Sequence, residues 1–186
     1  MTNNISFKAQ FIKPVYIKRV IDKGNSKCLA SFVELNQANI NDVKTIELLN
    51  KEWGDKAKYL KNIYHSIYNN FKTKTESPDS KIYALTTQIS DLENLNPNGI
   101  EGVVEVIPAP NKDLFISFIQ VNPKNTYKSE DRVYSKVGTE IIDTLKKLFP
   151  RKKLTTISGN NSQSFYEKNN FIENHCGLLE YNPKID

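Results

Sequence analysis

Residues 162–171 read Ser-Gln-Ser-Phe-Tyr-Glu-Lys-Asn-Asn-Phe, and we predict a helix around the aromatic pair Phe165-Tyr166. The apolar run KLTTIS at 153–158 precedes this helix and FIENHCGLLEY at 171–181 follows it, and both are typical of β-structure. Further upstream, one face of another predicted helix carries Val137, Ile141, Leu145 and Leu148, and Pro150 ends that helix. The last third of the chain therefore alternates helix, strand, helix and strand.

The middle of the chain reads as three consecutive strands. They cover 81–89 (KIYALTTQI), 99–109 (GIEGVVEVIPA) and 113–123 (DLFISFIQVNP). Turn signals rich in Pro, Asn and Gly separate the second strand from each of its neighbours. This section therefore predicts an antiparallel meander.

The N-terminal part combines β-structure with two helices. Residues 6–35 are rich in aromatic and β-branched residues, with a predicted turn at 23–26, and Pro14 indicates that the first strand lies at an edge or is interrupted. Helices are predicted over 41–53 and 55–71 with Gly54 as a stop, and polar loops over 72–80 and 124–135. Together these elements predict an α/β fold with a mixed sheet and helices on its faces.

Composition limits the classes of protein to consider. A chain of 186 residues is the length of one domain, and 38% hydrophobic with 25% charged residues is a globular composition. The longest apolar runs are too short to span a bilayer, and no stretch resembles a signal peptide, so we expect a cytoplasmic protein without membrane partners. Cys28 and Cys176 form no CxxC motif, and no residue set has zinc-ligand spacing, so no metal is expected. The net charge of +5 helps to attract anionic ligands without identifying one.

Three local motifs occur in a characteristic order. The strand Ile116–Pro123 ends in Val-Asn-Pro, residues 136–142 read Lys-Val-Gly-Thr-Glu-Ile-Ile, and residues 162–171 contain Phe-Tyr-Glu-Lys. They resemble the Val-x-Pro strand exit, the Gly-x-Gly-Thr-x-Leu-Leu helix start and the Ala-x-x-Phe-Tyr-x-Lys-x-Gly-Phe segment of the GNAT superfamily of N-acetyltransferases. The resemblance implies one domain over 1–186, with an N-terminal β segment (1–35), an acceptor-side half (36–112) and an acetyl-CoA-binding half (113–182).

The resemblance also implies where acetyl-CoA, the cosubstrate, would bind. The central sheet would be mostly antiparallel and splayed between strands 114–122 and 153–158, so that the pantetheine arm enters like an added strand. The candidate cofactor-binding residues are Ile119, Val121, Arg132, Val133, Lys136, Val137, Gly138, Thr139 and Phe165. The loop departs from the family pattern, because Val133 stands at a Gln/Arg position and Lys136 at a Gly position. Ile119 and Val121 could equally be core residues, and Gly138 could serve helix packing.

Two residues are candidates for catalysis. Tyr166 matches the family tyrosine whose phenol can protonate the departing CoA thiolate, although a tyrosine packed beside Phe165 would leave the same pattern. Glu101 and Glu105 alternate with Val103 on one face of a strand where the family often has a catalytic base, and Glu105 is the stronger candidate. The solvated face of an edge strand would have the same sequence pattern. Tyr59, Tyr64 and Tyr68 lie among lysines and could line an acceptor groove, stack on RNA or simply pack.

These features predict transfer of an acetyl group from acetyl-CoA to a primary amine. The acceptor could be a small amine, a peptide N-terminus, a lysine or an aminoacyl-tRNA, and a homodimer remains open. A catalytically inactive GNAT-like binding or regulatory module is the alternative, favoured by the altered loop at Val133 and Lys136. A nucleic-acid-binding protein without activity is a third hypothesis, which predicts binding that weakens steeply with salt.

Overall fold

The computed structural model describes residues 9–21, 24–74, 79–126, 129–159 and 162–183. Parts of four predicted segments lie outside these ranges, namely residues 6–8 of the first strand, the turn residue Lys23, and loop residues 75–78 and 127–128. The strands are β1 (Gln10–Ile21), β2 (Gly24–Leu35), β3 (Lys81–Thr86), β4 (Ile100–Pro108), β5 (Leu114–Val121), β6 (Tyr134–Ser135), β7 (Leu154–Thr156), β8 (Ile172–Glu173) and β9 (Leu179–Tyr181). The α-helices are α1 (Ile40–Trp53), α2 (Leu60–Lys72), α3 (Val137–Leu148) and α4 (Gln163–Lys168).

All nine strands of the described chain form one sheet in the order β6-β1-β2-β3-β4-β5-β7-β9-β8. Every pair of neighbours is antiparallel except β5 and β7, which run parallel. The helix α3 connects β5 to β7, as a parallel crossover requires. The predicted α/β class with a mixed, mostly antiparallel sheet is confirmed.

Each face of the sheet buries its own hydrophobic core. On one face α3 packs through Ile141 and Leu145 against sheet residues such as Val104. On the opposite face α1 and α2 pack through residues such as Leu49 and Ile63. The amphipathic pattern of each helix places it on the sheet, because the stripe of apolar side chains must be removed from water.

Most element boundaries match the sequence prediction, with three corrections. The second helix begins at Leu60 rather than at residue 55, because Gly54 adopts a φ of 53° and starts a short 3₁₀ turn over Gly54–Lys56. Residues 24–26, predicted as a turn, belong to β2 and pair with β1. The polar loop 124–135 contains an unexpected strand, β6, which pairs with Lys18 and Arg19.

Pro14 lies where the first strand has a neighbour on one side only. It pairs with Ser31 of β2, whereas the pairing of β1 with β6 is confined to Lys18 and Arg19 among the described residues. A residue without a backbone N–H is tolerated where its nitrogen does not face a partner strand. The predicted edge position therefore holds at Pro14 but not for the whole of β1, which lies between β6 and β2 in the sheet.

Candidate active site

The parallel strands β5 and β7 separate after a short common stretch. They share three residue pairs, from Leu114–Leu154 to Ile116–Thr156, whereas β5 continues to Val121. A register shift against β4 falls here, since Ile116 pairs with Val106 and Phe118 with Glu105, which leaves Ser117 as the bulged residue. A bulge bends its strand and increases its twist, so Ser117 directs β5 away from β7. The predicted splay is therefore present, and its vertex is Ile116.

A cavity of about 400 Å³ fills the space between the separating strands. Its walls come from β5, from β7 and the segment after it, from α4, and from the residue preceding α2. The lining is strongly aromatic, with Tyr59, Phe115, Phe118, Phe165 and Tyr166. Two of the predicted cofactor-binding residues, Ile119 and Phe165, lie in this lining together with the predicted catalytic Tyr166.

Tyr166 stands at the vertex of the splay. It is 4% exposed, and its side chain forms a hydrogen bond with Thr156. The Thr156 hydroxyl in turn lies 3.0 Å from the Ile116 carbonyl oxygen, to which it donates. Burial raises the pKa of Tyr166, the hydrogen bond with Thr156 opposes this shift, and the proximity of Tyr59 adds to it. The phenol is thus held protonated at neutral pH beside the point where the strands part.

Tyr166 both packs against neighbouring aromatic rings and lines the cavity. Its ring makes edge contacts with Phe165 at 5.0 Å and Phe171 at 5.4 Å between ring centroids, as the packing interpretation predicted. The residue also lines the cavity, as the functional interpretation requires. The aromatic cluster therefore orients the phenol by fixing the ring around it.

Tyr59 forms the opposite side of the cavity, and sequence reasoning did not single it out from the other tyrosines of this region. Its ring stacks on Phe118 with centroids 6.0 Å apart, and its backbone N–H donates to the side-chain oxygen of Gln120 at 3.3 Å. A Cβ atom on Gly159 would lie only 2.7 Å from the Tyr59 hydroxyl oxygen. Tyr64 and Tyr68, by contrast, contact one another along α2. No local sequence pattern distinguishes Tyr59 from Tyr64 and Tyr68, because its place in the cavity wall depends on the turn that starts at Gly54.

Glu105 is buried rather than solvated. It is 4% exposed, accepts a hydrogen bond from the Ser66 hydroxyl at 2.5 Å and pairs across the sheet with Phe118. Burial raises the pKa of Glu105, while hydrogen bonds from Ser66 and Ser80 oppose the shift. It is not among the described residues that line the cavity, whereas its cross-strand partner Phe118 is.

Glu101 lies in a different environment, contrary to the expectation of a shared face with Glu105. The pairing of β3 with β4 shifts register here, since Leu85 pairs with Gly102 and Thr86 with Ile100, so Glu101 is bulged. Its carboxylate accepts a hydrogen bond from Asn125. Burial raises the pKa of Glu101 to about 7, against the opposing effects of Asn125 and Lys124. The bulge interrupts the strict alternation on which the sequence interpretation relied.

The remaining candidate cofactor residues gather at the N-terminal end of α3. Val137 and Gly138 are buried, Thr139 is half-buried, and Gly138 lies against Phe165 and Val121, since an added Cβ would be 3.1 Å from the Phe165 ring. The packing interpretation of Gly138 thus has direct support, and it connects this helix end to the cavity lining. Lys136 precedes the helix with a φ of 61°, a left-handed conformation that favours glycine.

The loop residues before Lys136 are placed partly by the sheet. The Val133 carbonyl accepts a hydrogen bond from the Val20 backbone N–H at 2.7 Å, while its side chain is exposed. Arg132 is half-buried next to it. None of Arg132, Val133, Lys136, Val137 and Thr139 is among the described residues that line the cavity.

Within the described residues, no group of three or more His, Cys, Asp or Glu side chains is arranged to hold a metal ion. No helix in that part of the chain has the length and apolarity needed to cross a membrane.

Comparison with solved structures identifies the architecture. A Desulfovibrio desulfuricans protein assigned to the GNAT family of acetyltransferases superposes with a TM-score of 0.50 at 12% identity, over 82% of this chain and 98% of that one. RimL, a ribosomal L7/L12 alpha-N-protein acetyltransferase in complex with coenzyme A, gives a TM-score of 0.50 at 12% identity, over 84% and 96%. The chain has the GNAT fold. No protein-family model matches the sequence, and no curated protein matches it.

The GNAT fold was predicted from the three motifs, and the superpositions confirm it. The elements that carry the motifs follow one another along the chain in the order β5, α3, β7 and α4, and α4 contains Phe165 and Tyr166. At 12% identity the likeness shows the fold alone, because one fold can support different chemistry.

Proposed function

We propose that this protein is an N-acetyltransferase that transfers an acetyl group from acetyl-CoA to a primary amine. The observation that carries the proposal is the position of Tyr166, whose buried, protonated phenol lines a cavity at the vertex of two separating parallel strands. A packed tyrosine alone would not need an open cavity beside it.

The open edge of β5 fits the pantetheine arm of the cosubstrate. Beyond Ile116 the strand has lost its partner β7, so the backbone groups on that side, between Ser117 and Val121, can bond an added strand-like ligand. Ile119 in this stretch lines the cavity, and half-buried Val121 is the last residue of β5. We therefore assign both residues main-chain contacts with the arm while their side chains complete the core.

The N-terminus of α3 fits the pyrophosphate. The backbone N–H groups of Val137, Gly138 and Thr139 have no partner within the helix, and Lys136 at the N-cap makes no side-chain hydrogen bond to them. Such groups together with the helix dipole bind anions. Lys136 is exposed and Arg132 is half-buried, and we assign to both side chains ionic contacts with phosphate oxygens. We assign no side-chain contact to Val133, whose backbone carbonyl holds the loop against β1.

The chain's own residues would divide the proton transfers between them. Acetyl-CoA supplies the activated thioester when bound. Tyr166 donates its proton to the departing thiolate, since burial keeps the phenol protonated. Glu105 accepts the proton of the attacking amine, and because it is not among the described residues that line the cavity we assign this transfer to an intervening water molecule.

The division of the chain follows from this assignment. Residues 113–182 would hold acetyl-CoA, and residues 36–112 would contribute the acceptor side through Tyr59 and Glu105. The coenzyme A complex of RimL, a structure with the same fold, is consistent with such a use of the domain.

Acetyl-CoA titration by calorimetry tests the proposal, with thermal unfolding in acetyl-CoA, CoA and desulfo-CoA as a second readout. Ligand at about 100 times its dissociation constant stabilises the native state by about 2.7 kcal/mol. Micromolar binding followed by CoA release in the presence of amines supports a transferase. Binding without transfer to any amine would favour the inactive binding module, and no binding at millimolar acetyl-CoA would overturn the proposal.

A further inference from the structure

Half-buried Gln120 makes two hydrogen bonds with one carboxamide group. Its Nε2 donates to the Val121 carbonyl oxygen at 2.9 Å, and its Oε1 accepts from the Tyr59 backbone N–H at 3.3 Å. Both bonds can form in one orientation of the carboxamide only, because Nε2 is a donor and Oε1 is an acceptor. Since the group is planar and rigid, Gln120 cannot leave the Val121 carbonyl without also disturbing its bond to Tyr59.

The Val121 carbonyl faces the open edge of β5. The Asn122 N–H donates to the Glu101 carbonyl of β4 at 2.9 Å. Successive residues of an antiparallel strand direct their backbone groups alternately toward and away from the neighbouring strand, so those of Val121 point away from β4. On that side, β5 has no paired strand beyond Ile116 among the described residues. Gln120 therefore occupies a backbone acceptor on the edge to which we assign the pantetheine arm.

Tyr59 bridges the splay from one strand to the other. Its ring stacks on Phe118 of β5 with ring planes 26° apart. Its hydroxyl oxygen lies 2.7 Å from the position of a Cβ atom on Gly159, in the segment after β7. Gln120 holds the backbone of this bridging residue. One carboxamide thus connects an acceptor on the open edge with the residue that spans the two strands.

A strand-like ligand at this edge needs the oxygen that Gln120 holds. An added strand bonds the exposed backbone groups of its neighbour, so an amide of the arm would bring its own N–H to the Val121 carbonyl. Displacing Nε2 exchanges one hydrogen bond for another, and the exchange adds nothing to the affinity for the arm. Without the Gln120 bond, the full gain of the new hydrogen bond would contribute to binding.

We propose that Gln120 is an internal competitor of the cosubstrate, which holds the Val121 carbonyl until the pantetheine arm displaces it and which then releases the backbone N–H of Tyr59. This role rests on the proposed function, because it requires that the arm bonds the open edge of β5. It makes Gln120 a regulator of acetyl-CoA affinity and couples occupancy of the edge to the position of Tyr59. A residue that only supports the fold would have the opposite signature, since its loss would weaken binding.

Gln120→Met tests the competition, because methionine has a similar length but forms no strong hydrogen bond. We expect CoA, titrated by calorimetry, to bind about three- to tenfold more tightly to Gln120→Met than to the unchanged protein, the range of one net hydrogen bond. The nucleotide of CoA without the arm, 3′-phosphoadenosine 5′-diphosphate, should bind both proteins equally. Gln10→Met, at an exposed position of β1, is the matched control. CoA affinity that is unchanged or weaker in a folded Gln120→Met protein would overturn the competition.

Amide hydrogen exchange at Tyr59, followed by NMR, gives a second readout that needs no substitution. We expect the Tyr59 N–H to exchange about tenfold or more faster with saturating CoA than without it, because its acceptor is displaced. The nucleotide without the arm should leave this rate unchanged. Slower or unaltered exchange at Tyr59 with CoA bound would contradict the release.

The outcomes separate this role from the proposed function. CoA binding with neither tighter affinity in Gln120→Met nor faster exchange at Tyr59 would reject the competition alone. Both effects together with no acetyl transfer to any amine would uphold the competition and reject the transferase. A lack of CoA binding to either protein at millimolar concentration would reject both.

Discussion

The hydroxyl oxygen of Tyr59 lies 2.7 Å from the position that a Cβ atom on Gly159 would occupy. A side chain at residue 159 would therefore require the Tyr59 hydroxyl to shift from this position. The contact joins the acceptor-side half of the chain to the half that we assign to acetyl-CoA.

Gly159→Ala should displace Tyr59 from the cavity wall. We expect KM for the amine acceptor to rise about tenfold, a loss of about 1.4 kcal/mol, with less than about threefold change in acetyl-CoA affinity. Tyr59→Ala should have a similar effect, and the double variant should add little to either, because both changes remove one contact. Steady-state kinetics of the four proteins measure the coupling, and fully additive losses would show that the two residues act separately.

Tyr166→Phe should remove the proton donor while it preserves the ring packing against Phe165 and Phe171. We expect kcat to fall by about 10² or more, the usual contribution of a positioned acid, with acetyl-CoA affinity nearly unchanged. Tyr16→Phe, at an exposed position on β1, is the matched control. A Tyr166→Phe protein with full activity would exclude the phenol as the proton donor.

Lys136→Gly should stabilise the protein. Lys136 adopts a φ of 61°, and a left-handed conformation costs a residue with a side chain roughly 1–2 kcal/mol more than glycine. Glycine also loses more conformational entropy on folding, which offsets part of this gain. We therefore expect the free energy of unfolding, measured in urea, to rise by about 0.5–1 kcal/mol. Lys136→Ala retains Cβ and should gain nothing, and an equal gain there would show that the lysine side chain rather than the backbone is responsible.

Ser66→Ala should shift the pH dependence of catalysis. The Ser66 hydroxyl donates to Glu105 and lowers the pKa of that carboxyl, so its loss raises the pKa further. Since the base must be ionised, the acidic limb of kcat/KM should move to higher pH, and Ser66→Thr, which keeps a hydroxyl, should restore it. An unmoved limb in a folded Ser66→Ala protein would remove Glu105 from the proposed mechanism.

Glu101→Gln should reduce the loss of stability on going from acidic to neutral pH. Burial raises the pKa of Glu101 from 4.5 to about 7, so the native state keeps a proton that the unfolded chain releases. Stability contributed by the protonated form is therefore complete below about pH 4.5 and is lost as pH rises toward and through 7. Because one pKa unit corresponds to about 1.4 kcal/mol, the variant should abolish roughly 2–3 kcal/mol of this decline.

Urea unfolding at pH 4.5 and pH 8 measures the effect, with exposed Glu52→Gln as the control. Glutamine retains an oxygen that can accept from Asn125, so the packing around residue 101 is preserved. Identical declines in Glu101→Gln and the unchanged protein would mean that other carboxyl groups, such as buried Asp42 with its pKa raised to about 6, account for the pH dependence.

Much of the fold could be read from local patterns. The stripe of Val137, Ile141 and Leu145 predicted α3 because 3.6-residue periodicity is visible without knowledge of any partner. The strands β3, β4 and β5 were predicted within a few residues from β-branched runs bounded by turn signals. The strand β6 was missed, since two residues carry no pattern and Tyr134 and Ser135 are extended only because β1 lies beside them.

The candidate site was predictable in part. The Phe165-Tyr166 motif led to two residues that line the cavity, because the helix carrying them is defined locally. Tyr59 was named only together with Tyr64 and Tyr68, and the bulge at Ser117 was not predicted. A bulge exists only relative to the register of a neighbouring strand, and Tyr59 reaches Phe118 only after the chain has turned at Gly54.

The sequence by itself determined the order and type of the main elements, the GNAT-like architecture and the identity of Tyr166 as a candidate acid. Periodicity, turn residues and short motifs are properties of neighbouring residues, so a single chain displays them. Tertiary structure alone decided that Glu101 and Glu105 occupy separate environments, that Tyr59 faces Gly159, and which of the described residues line the cavity. These outcomes depend on register and on packing between residues distant in sequence, which burial and hydrogen bonding select only when the whole chain has folded.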